Sequence, residues 1–501
     1  MKLHANEVEP NGLLEADVLL IGGGLVGLAL GNQLADAGHQ VLILESGEIE
    51  PDAPTQSLYE GKFTIGGPDH ERRQDGYLAA SRFRQFGGSG HQWGGVSLPL
   101  DPADFESRDW IPHSGWPLTL EQLKPFYNRA CDLLDLPHFF GESSEAPPLT
   151  VGDGRVVHSR PQRLTRMTGK AENGPFQRWL QSTLDRERVR VILGANVTKL
   201  SLDSDAQRVA SVDVKALSGR SFRARANVYV LATGGIENAR LLLASNDVRP
   251  RGIGNESDWV GRAFQGHAMV FNAFSQLLPL AHGPAWGPYV GRRRGRTSYA
   301  LGTTLAAQRA SRTGNFGTYL RALPKAERNE LALHGLALRL TGQEAPGTRV
   351  LRAPFAIEHT PNRDSRLELD QDSRDALGMP RVKLAWKHAA FDFESFERGV
   401  RQLARELGLQ DVARLRWSRL GQQVDRFLQI GARHHMGTTR MAADSKQGVV
   451  DAQGRVHGVG NLYIGGSSIF PTSGLANPTL TIFAITLRLG DHLDSRIRRA
   501  A

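Results

Sequence analysis

The sequence predicts an α/β protein of two lobes, one built on a parallel β-sheet and one on a largely antiparallel β-sheet. The chain has 501 residues, which is well beyond a typical single domain. Three short apolar runs end in glycines and continue into helical patterns, as strands followed by helices do. Between about residues 265 and 430, polar and apolar residues alternate with the period of half-buried strands, which predicts the antiparallel lobe.

The composition is that of a globular protein whose backbone approaches a bound group closely. The hydrophobic and charged fractions, 40% and 23%, are ordinary, whereas 55 glycines predict many tight turns and close backbone approaches. The net charge of +9 is concentrated only in "GRRRGR", residues 291 to 296. We interpret this run as a solvated loop, with a site for an anionic substrate, a redox partner or a membrane surface as the alternative. No nucleic-acid partner is predicted.

Cysteine usage and hydropathy indicate a cytoplasmic protein. Cys131 is the single cysteine, which excludes an intrachain disulfide and a cysteine metal cluster and suits a reducing compartment. No metal site is predicted. The apolar stretch from residue 16 to 38 is interrupted by glycines and has no basic leader or cleavage site. We therefore expect neither a signal peptide nor an integral membrane segment.

The stretch "ADVLLIGGGLVGLALGNQLADAGHQVLILESGE" predicts a βαβ unit of the Rossmann type. Gly22, Gly24 and Gly27 fit the GxGxxG pattern: the first allows the turn, the second lets the backbone approach a pyrophosphate, and the third packs the helix on the strand. Glu45 ends the second strand, where a carboxylate accepts hydrogen bonds from a ribose. Its charge favours an unphosphorylated adenosine ribose. Together these features predict a dinucleotide site.

Two later strand-and-turn segments are predicted to join the same sheet. One is "ANVYVLATGGIENARLLLAS", with Thr233 and Gly234 at the strand end, and the other has a strand at residues 461 to 464, a turn at Gly465 and Gly466, and a helix from about Pro478. The predicted dinucleotide lobe is therefore discontinuous, at residues 14–115, 185–265 and 431–501. The predicted substrate lobe takes residues 116–184 and 266–430.

A second glycine-rich loop, "RQFGGSGHQWGG" at residues 84 to 95, points to a flavin. Its glycines flank His91, Gln92 and Trp93, so backbone amides can approach an isoalloxazine ring. With the loop at residues 465 to 477, it predicts a larger enclosed group than a nicotinamide dinucleotide. A loop without ligand contacts is the alternative.

Five motifs in order resemble the glucose-methanol-choline (GMC) oxidoreductases, and most of all their bacterial sugar and polyol dehydrogenase and pyranose oxidase branch. They are the N-terminal βαβ unit, "GGSGHQWGGVSLPLDPADFESRDWIPHSGWPLT", "ATGGIENARLLL", "HHMGTTRM" and "NLYIGGSSIFPTSGLANPTLT". The resemblance implies a two-domain architecture like that of p-hydroxybenzoate hydroxylase, FAD as cofactor, and oxidation of an alcohol to an aldehyde or ketone. The residues predicted to contact FAD are Gly22, Gly24, Gly27, Glu45, Gly87, Gly88, Ser89, His91, Gln92, Trp93, Thr233, Gly234, Gly466, Ser467 and Pro478.

Alcohol oxidation by hydride transfer needs a base on the hydroxyl while the carbon faces flavin N5. A neutral imidazole suits this task because its ordinary pKa, about 6.5, leaves it able to accept a proton near neutral pH. Consecutive residues of an extended segment point to opposite faces, so only one of His434 and His435 is expected to face the flavin. The resemblance assigns the base to His434 and the partner that fixes the substrate oxygen to Asn477. His435 is then a packing residue, unless the register is shifted by one, and Arg440 is expected to anchor its own loop.

The sequence departs from many GMC relatives at Gln92, where they have a histidine that bonds covalently to the flavin. Glutamine cannot form that bond, so noncovalent FAD is predicted, with His91 as the alternative attachment point. The substrate is expected to be a sugar, a polyol or a hydroxylated secondary metabolite, bound near a lid such as residues 283 to 299.

The electron acceptor is left open among oxygen, a quinone and a redox protein, because the sequence has no haem motif or cysteine cluster. A small partner subunit that carries an export signal, as in several relatives, would place the protein in the periplasm. Two further functions compete with the first: a flavin monooxygenase that consumes NAD(P)H, and a noncatalytic flavin-binding or electron-transfer subunit.

Overall fold

The computed structural model describes residues 1–67, 71–141, 156–168, 174–270, 275–280, 286–290, 297–322, 350–417, 428–429 and 433–500. The basic run at 291–296 and much of the predicted lid lie outside these residues. Among the described residues, no helix is long and apolar enough to cross a membrane.

The first lobe is centred on an eight-stranded sheet whose parallel part contains the predicted βαβ unit. Six strands pair in parallel in the order Lys2–His4, Val189–Leu193, Val41–Leu44, Leu13–Ile21, Ser221–Leu231 and Leu462–Ile464. Strands Asn196–Leu202 and Val209–Lys215 extend the sheet as an antiparallel pair. Both later segments that were predicted to join this sheet do so.

Both faces of the parallel part are buried, which explains why its strands are continuous apolar runs. Val18 and Leu20 point to one face, where Leu28 of helix Leu25–Asp36 and Leu489 of helix Thr479–Ala500 share their core. The intervening strand residues, such as Leu19 and Ile21, belong to the other core with helix Gly234–Ala244. The long C-terminal helix predicted from about Pro478 is thus confirmed.

The second lobe contains the predicted antiparallel sheet. Its seven strands follow the order Leu428–Gln429, Ala268–Val270, Phe355–Ile357, Phe316–Thr318, Ser298–Thr303, Val157–Leu164 and Val96–Ser97, and every pair is antiparallel. A four-stranded antiparallel sheet follows, with Arg321–Ala322, Leu351–Arg352, Gln276–Pro279 and Ala413–Arg416. Helix Ala390–Leu409 packs its apolar side, including Val400 and Leu403, into this lobe.

A second four-stranded sheet connects the two predicted lobes. Its order is Arg366–Arg374, Pro380–Lys387, Gly61–Gly66 and Glu71–Arg73. The pair formed by Gly61–Gly66 and Pro380–Lys387 is parallel and joins a segment assigned to the dinucleotide lobe with one assigned to the substrate lobe. The remaining α-helices of the described residues are Ala53–Ser57, Tyr77–Ala80, Pro102–Phe105, Leu120–Leu133, Pro175–Leu184 and Leu305–Ser311.

Candidate active site

A cavity of about 360 Å³ lies at the carboxyl ends of four parallel strands. Gly22, Glu45, Thr233 and Gly466 each follow one of these strands and line the cavity. This edge of a parallel sheet is where α/β proteins bind dinucleotides. Of the predicted site residues, those that line it are Gly22, Gly24, Glu45, Gly88, Ser89, Gln92, Trp93, Thr233, Gly234, His434, Gly466, Ser467 and Pro478.

The glycines of the first turn have conformations and surroundings that fit the roles predicted for them. Gly22 has φ +107°, which favours glycine, and its N–H donates to Leu44 O at 2.8 Å. A Cβ at Gly24 would meet nothing within 4 Å and would project into open space. A Cβ at Gly27 would lie 2.0 Å from Gly22 O, so only glycine lets the helix approach the strand so closely. Gly27 thus shapes the site without lining it.

Helix N-termini give the cavity a positive electrostatic character. Helices Leu25–Asp36 and Gly234–Ala244 start from Gly24 and Thr233, neither of which caps its helix with a side-chain hydrogen bond. Their first N–H groups are therefore available to an anion, and the helix dipoles add a positive potential. Pro478 and Thr479, at the start of the C-terminal helix, also line the cavity. A pyrophosphate fits these donors.

Glu45 lines the cavity and is held by backbone donors. Its Oε2 accepts from Gly23 N at 2.6 Å and its Oε1 from Gly47 N at 2.7 Å. Burial raises the pKa of Glu45, while these N–H groups and Arg84 act in the opposite direction. The contact with a ribose stays a prediction.

The glycine-rich loop at residues 87 to 93 packs directly on the first turn, because Gly87 N donates to Gly23 O at 2.9 Å. Gln92 and Trp93 line the cavity, and Trp93 Nε1 is buried without a hydrogen-bond partner among the described residues. His91 instead directs Nε2 to Phe86 O at 2.8 Å and lies edge-on to a neighbouring phenylalanine ring. Residue 92, rather than 91, therefore belongs to the cavity wall.

The two consecutive histidines have different surroundings. Both His434 and His435 line the cavity, and Nδ1 of His434 lies 2.9 Å from Nδ1 of His267. The ring of His435 is buried beside Phe264, with Nε2 at 2.9 Å from Tyr77 Oη. Burial, together with nearby arginines, lowers the pKa of His435 to about 3, so this ring is neutral. These contacts agree with a packing role for His435.

Asn477 lies two residues before the C-terminal helix and is half-buried. Its Nδ2 donates to Val96 O at 3.5 Å, a long bond, and Asn477 itself does not line the cavity. Arg440 donates to His113 O at 2.8 Å and lies over the Trp259 ring. This position agrees with its predicted role as a loop anchor.

Sequence reasoning missed Tyr59 and Arg82, which also line the cavity. The Arg82 guanidinium lies 4.0 Å from the Tyr59 ring centre, and its Nη1 donates to Glu237 Oε1 at 2.7 Å. Burial would raise the pKa of Glu237, but Arg240, Arg82 and Arg84 lower it to about 2, so a buried carboxylate fixes the arginine. No motif marks these positions, since Glu237 is 155 residues away along the chain.

Outside the cavity, His359, His388 and Asp392 bring potential ligand atoms within 4.8 Å of one another. Trp386 Nε1 donates to His359 Nδ1 at 3.3 Å, so the neutral ring carries its proton on Nε2, which faces Lys387 O at 3.0 Å. A protonated Nε2 offers no lone pair to a metal. Asp392 accepts from Ala389 N, at the start of helix Ala390–Leu409, and from Thr360 N, both at 3.0 Å. We interpret the cluster as a helix cap with packed histidines.

The fold and the cavity are those of a two-lobed α/β protein with a site of the dinucleotide-binding type. Family models described as GMC oxidoreductase match residues 160–269 and 361–486. The chain belongs to the GMC oxidoreductase family. Members of this family are FAD-dependent enzymes that act on CH–OH donors, so the predictions of the family, the enzyme class and the cofactor are confirmed.

Curated relatives match almost the whole chain at low identity. The fructose dehydrogenase large subunit of Gluconobacter japonicus is 23% identical, covering 96% of this chain and 98% of the relative. The 6'''-hydroxyparomomycin C oxidase of Streptomyces lividus is 26% identical, covering 96% and 92%. The solved structure of pyridoxine 4-oxidase from Mesorbium loti superposes with a TM-score of 0.55 at 19% identity, covering 95% of this chain and 98% of that chain. It supports the fold.

Proposed function

We propose that this protein oxidises a CH–OH group of a sugar, a polyol or a hydroxylated secondary metabolite to a ketone or aldehyde. His434 acts as the general base and Asn477 holds the substrate oxygen. His434 lies in the wall of the dinucleotide cavity, whereas the ring of its neighbour His435 is packed against Phe264 and hydrogen-bonded to Tyr77; this difference is the observation that carries the proposal. Bound FAD supplies the acceptor for the hydride that leaves the carbinol carbon.

The residues of the cavity fit FAD. The open space beside Gly24 and the uncapped helix N-termini suit a pyrophosphate, and Glu45 suits a ribose. Trp93 Nε1, buried and unpaired among the described residues, offers a further donor to a bound group. Because Gln92 faces the cavity and His91 faces away, we infer that FAD is held without a covalent bond.

The protein's part in the reaction is proton transfer and orientation. His434 accepts the hydroxyl proton, so negative charge develops on the substrate oxygen as hydride leaves. The amide of Asn477 has two N–H groups; Val96 O accepts one, and we assign the other to the substrate oxygen. The nearby helix N-terminus adds a favourable potential for negative charge.

The names of relatives support the substrate class and leave the acceptor open. They include a fructose dehydrogenase, a paromamine 6'-oxidase and a 2-methyl-1,2-propanediol dehydrogenase. Because the first is a large subunit, we also propose that a small partner subunit joins this chain. Oxygen, a quinone and a redox protein are the acceptors to be compared.

Anaerobic mixing of the FAD-loaded protein with a panel of sugars, polyols and other alcohols tests the proposal. A substrate bleaches the visible flavin band, and His434→Ala should slow bleaching at least about 100-fold because the base is lost. Asn477→Ala should slow it about 10-fold or more. His457→Ala is the matched control, because His457 bonds to Ala442 O and does not line the cavity.

Bleaching of His434→Ala at the parental rate would refute the role of the base. If NADPH or NADH bleaches the flavin and no alcohol does so, the protein is a monooxygenase. If neither donor reduces the flavin, the noncatalytic function applies.

A further inference from the structure

His267 lies beside His434 although 167 residues separate them in the chain. Two backbone bonds hold the segments together: Gln265 N donates to Met436 O at 2.9 Å, and Met436 N donates to Gln265 O at 3.0 Å. The approach at Gly266 is close, because a Cβ there would lie 3.0 Å from His434 O. The two imidazole rings meet edge-on, with centres 5.0 Å apart and planes at 85°.

The hydrogen bonds of His267 determine which of its nitrogens carries a proton. His267 Nε2 lies 3.3 Å from Ser473 O, and a carbonyl oxygen can only accept, so Nε2 carries the hydrogen. The ring is 2% exposed, and burial lowers its pKa, which keeps it neutral. A neutral ring protonated on Nε2 has a lone pair on Nδ1. His267 Nδ1 therefore accepts a hydrogen bond.

The protonated nitrogen of His434 follows from that of His267. Because the two Nδ1 atoms are 2.9 Å apart and that of His267 accepts, Nδ1 of His434 must donate. A neutral His434 then has its lone pair on Nε2. We propose that His267 is a positioning residue that holds the proton of His434 on Nδ1 and so makes Nε2 the atom that accepts the substrate proton. This inference rests on the proposed role of His434 as the base.

The carbonyl that orients His267 is itself fixed. Ser473 Oγ accepts from His359 N at 3.1 Å and lies 3.4 Å from His359 O, so the segment is tied to the end of strand Phe355–Ile357. The titratable groups that face His267 are His434, His359 and Glu358. Glu358 is paired with Arg108, so no unpaired carboxylate among the described residues competes for the His267 ring.

Two substitutions of His267 distinguish the effect of its hydrogen bond to His434 from the effect of its packing. His267→Gln keeps an amide oxygen that can accept from His434 and an amide N–H that can donate to Ser473 O, whereas His267→Phe keeps a ring of similar size without either group. We expect Phe to lower kcat about 10- to 100-fold and Gln to restore most of this loss. His457→Phe is the matched control.

The pH dependence of kcat/KM gives a second readout. The acceptor on His267 also stabilises protonated His434, so its removal should move the acid limb of the profile to lower pH. In His267→Gln the limb should stay near its original position. A uniform fall in activity with an unchanged limb in both variants would indicate a purely structural role and overturn the inference.

A third readout needs no turnover. In FAD-loaded protein containing ¹⁵N-histidine, the imidazole signals of His434, identified by their loss in His434→Ala, should show a proton on Nδ1. His267→Phe should give a mixture of tautomers. A proton on Nε2 in the parental protein would refute the inference even if His434 proves essential. The expected tautomer together with full activity of His434→Ala would instead refute the proposed base.

Discussion

Gly27→Ala tests whether the close packing of helix Leu25–Asp36 on strand Leu13–Ile21 stabilises the fold. The added Cβ would lie 2.0 Å from Gly22 O, whereas contacts under 3.0 Å are essentially never adopted, so helix and strand must separate by about 1 Å. Such overpacking costs up to about 3 kcal/mol. The better helix propensity of alanine returns about 1 kcal/mol. A net loss of about 2 kcal/mol in the free energy of unfolding is expected.

Gly24→Ala is the companion substitution, because its Cβ meets no atom within 4 Å and φ is −78°. We expect it to change the free energy of unfolding by less than about 1 kcal/mol. It should nevertheless raise the Kd for FAD at least about 10-fold, equivalent to about 1.4 kcal/mol, because the methyl group occupies space beside the helix N-terminus.

Urea unfolding of FAD-free protein and titration with FAD, followed by flavin fluorescence, measure the two effects separately. The expected pattern is a large stability loss for Gly27→Ala and a mainly affinity loss for Gly24→Ala. Parental stability of Gly27→Ala, or parental affinity of Gly24→Ala, would refute the roles derived from the turn.

Three further predictions concern buried ion pairing, acid stability and flavin attachment. Arg108→Leu should lower the free energy of unfolding by about 3–5 kcal/mol, because it leaves the buried Glu358 carboxylate without its bidentate partner. The double change Arg108→Leu/Glu358→Leu should lose less stability. Urea unfolding measures both. The pKa of His435 is about 3 in the fold and near 6.5 in the unfolded chain. The stability that depends on its neutral form is therefore fully present above pH 6.5 and falls by up to about 1.4 kcal/mol per pH unit as the pH drops towards 3. The free energy of unfolding, measured at several pH values, should fall less steeply with pH in His435→Gln. Acid precipitation should leave the yellow colour in the supernatant, because Gln92 cannot bond to flavin, and a yellow pellet would contradict this.

The predictions from sequence were most accurate where one continuous segment contains the whole signal. The βαβ unit, the Gly27 contact and the C-terminal helix each depend on neighbours within a few turns of chain, so their periodicity and glycines define them locally. The alternation after residue 265 likewise predicted antiparallel pairing. It did not predict that Gly61–Gly66 would pair with Pro380–Lys387, because strand partners across 300 residues leave no local pattern.

The candidate site likewise contains features that local sequence predicted and contacts between distant segments that it did not predict. The orientation of His434 and His435 to different surroundings follows from an extended backbone, and the structure places their rings against His267 and Tyr77 respectively. Nothing near His434 in the sequence indicates that His267 is its partner. Likewise, the Arg82 ion pair with Glu237 depends on the contact between a loop in the cavity wall and helix Gly234–Ala244, which are far apart in the chain.

The sequence by itself determined the parallel sheet and the glycine turn that brings helix N-termini to its edge. These depend on local backbone conformation and on periodic burial, which neighbouring residues specify. Only the tertiary structure decided the surroundings of the His434 imidazole, including which of its nitrogens meets His267. Hydrogen bonds between distant segments form when the chain is folded, so their partners are set by three-dimensional packing rather than by any spacing along the chain.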